Sequence, residues 1–117
     1  MRYSLERISL DNIGDLQTLY RDVYHKKVSL KFLIKKYDTK FAGAEFLGYL
    51  AYASDHTPAA FYGVLPCHFR VMKEIITAAQ SADTMTHPQH RRVGLFSRLA
   101  EATYALAKEN GIELIFG

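Results

Sequence analysis

Tryptophan is absent from this 117-residue chain, cysteine occurs once and proline three times. A single cysteine, Cys67, excludes an intrachain disulfide and fits a reducing compartment. Apolar runs are short: none approaches the ~18 residues a membrane-spanning helix needs, and Met1-Arg2-Tyr3-Ser4-Leu5-Glu6-Arg7 lacks the apolar core of a signal peptide. A cytoplasmic protein is expected. Charge of one sign is scarce too. Fifteen basic side chains against 12 acidic give +3, which does not by itself mark a polyanion binder. What remains, 49% hydrophobic and 23% charged, is the composition of a single globular domain over 1–117.

The most telling scarcity is local. Between Gln89 and Phe96 there is no acidic residue and no good capping side chain, although this stretch leads into the clearest helix of the chain. The first four N–H groups of a helix lack intrahelical partners, and the helix dipole places about half a positive charge there. Arg91 and Arg92 add to that charge. Such an end is mildly unfavourable unless an anion sits on it, and a phosphate-like group resolves the conflict.

The order of elements follows from periodicity. Residues 3–10 alternate loosely as a first strand, and Asp11 or Asn12 can cap a helix with Ile13, Leu16, Leu19, Tyr20, Val23 and Tyr24 on its apolar face, fraying near His25. Ser29 can cap a second helix with Leu30, Leu33, Ile34 and Tyr37 as its inner stripe. Residues 38–44 read as loop. Three aromatic and aliphatic runs, 46–54, 59–71 and 74–82, have short connectors and predict an antiparallel meander, bent or bulged near 65–67 because Pro66 cannot donate to a ladder. The last helix carries Leu95, Leu99, Thr103, Leu106 and Ala107 on one face and stops at Asn110-Gly111. Ile112-Glu113-Leu114-Ile115-Phe116 follows as a short buried strand, parallel to its neighbour.

Neither G-x-G-x-x-G nor G-x-x-x-x-G-K-[ST] occurs, so a dinucleotide fold and a P-loop are unsupported. What does occur is Arg91-x-x-Gly94-x-Phe96, and here the chain resembles the GNAT acyltransferase superfamily, whose signature [Q/R]-x-x-G-x-[G/A] joins the fourth strand to the third helix. Phe96 departs from the last position. Relatives reading R-G-x-G-[IL]-F-[ST]-[KR]-L share that phenylalanine, as Arg91-Arg92-Val93-Gly94-Leu95-Phe96-Ser97-Arg98-Leu99 does. The flank Asp83-Thr84-Met85-Thr86-His87-Pro88 is similar to a D-T-M-T-x-P subgroup described as acetyltransferase-like.

The resemblance spans the chain and implies a mixed α/β fold with strand order 1-2-3-4-5, antiparallel except for strands 4 and 5. It implies acetyl-CoA as acyl donor and a primary amine as acceptor, with direct attack on the thioester. Carried over, the backbone of Met85 and Thr86 binds pantetheine, and Arg91, Arg92, Val93, Gly94, Leu95, Phe96 and Ser97 cradle the pyrophosphate. In many relatives a tyrosine after the fifth strand protonates the leaving thiolate. Strands six and seven and a fourth helix have no counterpart after Gly117, so an N-terminal portion of a longer protein is expected, whose isolated chain self-associates through the run from Ile112 to Phe116.

Asp83 is the only acid between Glu74 and Glu101. Two roles are open for it: a general base or orienting group for the acceptor amine, or an aspartate that shapes a turn where the fourth strand meets the loop. His87 and His90 have H-x-x-H spacing, but Pro88 prevents helical presentation and no third ligand lies nearby, so no metal site is expected. Cys67 reads as packed core, and Tyr20, Tyr24 and Tyr37 as helical packing. Tyr49, Tyr52 and Tyr62 could line an acceptor cleft. Lys27, Lys31 and Lys35 share a helical face, which supports the alternative reading of a non-catalytic module for nucleic acid or an acidic partner.

Overall fold

A computed structural model describes residues 2–117. The chain runs β1 (Ser4–Arg7), α1 (Ile13–Tyr24), α2 (Leu30–Tyr37), β2 (Gly48–Tyr52), β3 (Pro58–Val71), β4 (Glu74–Thr86), α3 (Leu95–Glu109) and β5 (Leu114–Phe116). Five strands form one sheet in the order β1-β2-β3-β4-β5. Every neighbouring pair is antiparallel except β4 and β5. This is the sheet expected from the sequence.

Each face of the sheet is covered by what its alternate residues bury. On one face Ile13, Leu16, Leu19 and Tyr20 of α1 and Leu33 and Tyr37 of α2 pack with Leu50, Phe61 and Met85. On the other, Leu95, Leu99, Leu106 and Ala107 of α3 pack with Ala60, Tyr62, Val64 and Ala79. Ser29 caps α2, its side chain accepting from the Phe32 N–H at 3.0 Å, a bond worth about 1 kcal/mol. Asn12 holds the N-cap position of α1 without capping it; its Oδ1 accepts from the Ser9 N–H instead.

Three expectations are corrected. Leu30, placed on the inner stripe of α2, is 41% exposed because the helix rests on Leu33 and Tyr37. Cys67, expected in the core, is only half-buried on the hairpin beyond β2. The register shift lies between Gly63 and Val64, with Ala82 as the extra residue on β4, and not at Pro66. The Val64 N–H donates to Leu47 O, so by alternation the Pro66 nitrogen faces the β2 side. Pairing with β2 ends at Gly48 opposite Gly63. The missing N–H therefore costs no ladder bond.

Gly63 has a packing reason to be glycine. An added Cβ would stand 2.7 Å from the Phe61 ring and 2.7 Å from Tyr37 Oη. Only a residue without a side chain lets α2 bring Tyr37 down onto the sheet at the shift. Residue 38–44, read as loop, contains a single 3-10 turn at Lys40–Ala42.

Candidate active site

The sequence reading put Asp83 at the junction of strand and loop, but β4 continues to Thr86 and encloses it. Asp83 is 8% exposed, and its carboxylate lies on the face of the sheet that carries α1 and α2. Tyr20 Oη donates to Oδ1 at 2.5 Å and Tyr37 Oη to Oδ2 at 2.5 Å. Lys36 Nζ stands 2.9 Å from Oδ2. The turn-forming role is thereby corrected: the partners come from two helices rather than the following backbone. Burial, then the bonded Asp83, raises the Tyr20 phenol above its ordinary value of 10.0. For Tyr37 burial again leads, followed by the charge of Asp83.

Beyond the shift, β4 turns one edge outward. The His87 N–H donates to Ala59 O, so residues 83, 85 and 87 face β3 and the amide groups of Thr84 and Thr86 face the other way. Pairing with β5 covers only Ala78, Ala79 and Gln80. Above them Gly117 lies against Ser81, and farther along Tyr24 Oη donates to Thr84 O at 2.9 Å and Arg91 Nε to Thr86 O at 3.1 Å. Met85 sends its side chain into the α1–α2 core. The edge thus presents Thr84 and Thr86 to a ligand, with Met85 holding the strand between them.

The loop after β4 has an unusual backbone. Arg92 adopts φ 66 and Gly94 φ 77, and a non-glycine residue in the left-handed region stores about 1 kcal/mol or more, a feature that clusters at ligand clamps. Alternation of hand turns successive N–H groups toward one concavity. Gly94 is the N-cap of α3, no side chain caps it, and the first turn holds no acid. A Cβ on Gly94 would meet nothing within 4 Å, so the space above the helix end is open. Arg91, Arg92, Val93, Phe96 and Ser97 are exposed around it, and Leu95 anchors the turn in the core. These features fit a diphosphate.

Other side chains hold the loop from behind. Tyr3 Oη and His90 Nδ1 share a hydrogen bond at 2.9 Å, and the His87 ring accepts from the Gln89 N–H. The two histidines are structural partners of the loop. On the α3 face, Tyr62 shares a hydrogen bond with Ser81 Oγ, and the exposed Phe96 ring packs edge-on against Tyr62 at 5.7 Å. The phenylalanine that departs from the signature is therefore drawn aside onto a strand residue.

A family model described as Acetyltransferase (GNAT) domain matches residues 5–117. The chain belongs to the GNAT acetyltransferases. No curated protein sequence matches it. Among solved structures, it is similar to glucosamine-6-phosphate N-acetyltransferase from Arabidopsis thaliana, with a TM-score of 0.74 at 10% identity over 100% of this chain and 82% of that one. An acetyltransferase of Trypanosoma brucei gives 0.72 at 11%, covering 99% and 82%. Aminoglycoside 6'-N-acetyltransferase from Acinetobacter baumannii gives 0.71 at 16%, covering 99% and 79%. At these identities the likeness is one of fold. As a GNAT N-acetyltransferase domain, the chain carries the uncapped helix end and the open strand edge side by side.

Sequence reasoning missed Lys36 and treated Tyr20 and Tyr37 as packing alone. Their spacing of one helix face is the same for both roles, so only the docking of α1 and α2 on β4 reveals the phenols as donors to Asp83.

The raised phenols make alkaline stability a test of this cluster. A folded-state value above the unfolded one contributes stability that is complete below about pH 10 and is lost as pH rises toward the folded value. Unfolding free energy should therefore fall above pH 10, and Tyr20→Phe should flatten that fall. Urea titrations between pH 8 and 11 check it; an equal slope in both proteins contradicts the assignment.

Proposed function

We propose that the chain carries out acyl transfer from acetyl-CoA to a primary amine by direct attack on the thioester. The observation that carries this reading is the conjunction of an uncapped α3 N-terminus, two left-handed residues and two arginines beside a free β4 edge. The N–H groups from Arg92 to Ser97 hold the pyrophosphate, with Arg91 and Arg92 supplying charge. Thr84 and Thr86 meet the pantetheine amides as an added strand would, while Met85, whose amide is turned toward β3, holds the strand between them. The thioester carbonyl then comes to lie beside the register shift at Ala82, where a backbone N–H freed from the ladder can polarise it.

Asp83 serves the acceptor in this reading. A carboxylate has about four lone-pair sites, and three donors already use three of them, which leaves little room for a substrate proton. Its part is orientation: it fixes Tyr20, Tyr37 and Lys36 where the amine arrives. The isolated chain is also proposed to self-associate through the outer edge of β5, which pairs on one side only among the described residues, next to the 49% exposed Leu114. A cytoplasmic location belongs to the same reading; among the described residues no helix is long and apolar enough to cross a membrane.

The alternative, a polyanion-binding module, uses the exposed Lys27, Lys31 and Lys35. Isothermal titration with CoA separates the two. Arg91→Ala with Arg92→Ala should weaken CoA about tenfold or more, whereas Lys31→Ala with Lys35→Ala should change it little, because exposed charges at a distance are screened at physiological salt. Gly94→Val should also weaken CoA, provided circular dichroism shows an intact fold. The reverse order of the two double variants favours the rival.

With a transferable amine in hand, Asp83→Asn should reduce kcat about a hundredfold while acetyl-CoA affinity stays within a few-fold. Turnover equal to that of the parent removes Asp83 from the acceptor site. Static light scattering at micromolar concentration tests the edge: the parent should exceed the monomer mass of 13.3 kDa and Ile115→Lys should approach it. A monomeric parent rejects edge pairing.

A further inference from the structure

Among the described residues Lys36 is the one lysine that is not exposed. It sits in the last turn of α2, and its side chain reaches down to β4 with 23% of its surface left to solvent. Nζ stands 2.9 Å from Asp83 Oδ2 and 3.4 Å from Tyr20 Oη. Lys35, one position earlier on the same helix, is exposed. The fold therefore sets a primary amine of this chain on the carboxylate that serves the acceptor in the reading above.

The same reading lays the thioester carbonyl beside Ala82, the extra residue at the register shift, and Asp83 is the next residue along β4. Their Cα atoms are about 3.8 Å apart. What separates the Lys36 nitrogen from the carbonyl is thus within the swing of a flexible four-carbon stem. Tyr20 and Tyr37 keep the target of that stem fixed, one on each carboxylate oxygen, and burial keeps both phenols protonated as donors. No exposed lysine shares this position.

We propose that Lys36 is an acetylation site of this chain, its Nζ taking the acetyl group from the chain's own bound acetyl-CoA while Asp83 accepts the ammonium proton. The inference rests on the acetyl-CoA reading above. In the step, one proton of the Lys36 ammonium passes to Oδ2, to which it already points, so it needs none of the room left on the carboxylate. The freed lone pair of Nζ forms the C–N bond to the thioester carbonyl carbon, and the C–S bond breaks with its electron pair retained on sulfur. The second proton lost from nitrogen passes through water to the thiolate. Asp83 gives the first to solvent, and acetyl-lysine and free CoA thiol are the products. The modified nitrogen is neutral. Its ion pair with Asp83 therefore ends, and Oδ2 is released for the ammonium of an outside acceptor.

Incubation with acetyl-CoA and no other amine, followed by peptide mapping in the mass spectrometer, is the test. A part-buried, ion-paired ammonium is a poor target for acetyl-CoA arriving from solution, so unguided labelling should favour the exposed Lys31 and Lys35 of the same helix. Lys36 should instead gain its acetyl group about tenfold faster than either, at a rate independent of protein concentration, as an intramolecular reaction requires. At subsaturating acetyl-CoA, Arg91→Ala with Arg92→Ala should slow Lys36 labelling about tenfold and leave Lys31 and Lys35 unchanged. Lys36→Arg, which keeps the positive charge beside Asp83, should remove the fast gain of one acetyl group from the intact mass. Labelling of Lys36 no faster than that of Lys35, with CoA bound in isothermal titration, overturns the acetylation site and leaves the CoA site standing. Failure of the parent to bind CoA overturns both.

Discussion

Everything on one face of the sheet hangs on a buried carboxylate. Asp83 accepts from a phenol of α1 and a phenol of α2 and pairs with the Lys36 ammonium, so both helices are fastened to β4 at one point. Removing any partner would leave charge or hydroxyl in a poorly solvated place, at a cost of a few kcal/mol, so the arrangement is close to all-or-none. Gly63 is the complementary constraint: a side chain there would collide with the phenol that Asp83 needs. The register shift begins directly beside the Gly63–Asp83 pair, so the junction that fixes the helices also fixes where β4 changes its pairing.

From that junction the two edges of β4 part company. One continues along β3, while the other leaves β5 after Gln80 and carries outward-facing amides up to a positively charged helix end. Tyr24 and Arg91 rest on two of the freed carbonyls. These contacts satisfy acceptors that would otherwise be unpaired, and they are exchangeable for a ligand amide because both donors sit at the surface. The proposed acyl donor follows this line from end to end.

The two faces carry different groups. Toward α1 and α2 stand Asp83, Tyr20 and Lys36, an ionic and hydroxyl cluster; toward α3 stand Tyr62, Ser81 and Tyr104, neutral hydroxyls. Separating the groups by the thickness of the sheet keeps the ammonium of Lys36 away from the phenols of the α3 face.

Much of this was legible before folding. Helical spacing marked Leu95, Leu99, Thr103 and Leu106 as one buried face, and the lack of acid and cap ahead of them marked an uncapped helix end, because both signals are local along the chain. The antiparallel run of β2, β3 and β4 followed from short connectors and the parallel β5 from one helical crossover, whereas the place of β1 beside β2 was implied by the family resemblance alone. Bulge position and cluster membership were not legible. Pro66 drew the expected irregularity to itself, yet whether a missing N–H matters depends on whether a neighbouring strand reaches it, and β2 ends first. Tyr20, Tyr37 and Tyr104 lie 63, 46 and 23 residues from Asp83, Asp83 and Ser81 by simple count, too far apart in sequence for any spacing to join them. Periodicity determined which side chains face inward; only the packing of helices on the sheet decided which hydroxyls meet, because hydrogen bonds between distant elements depend on register and docking that no local pattern encodes.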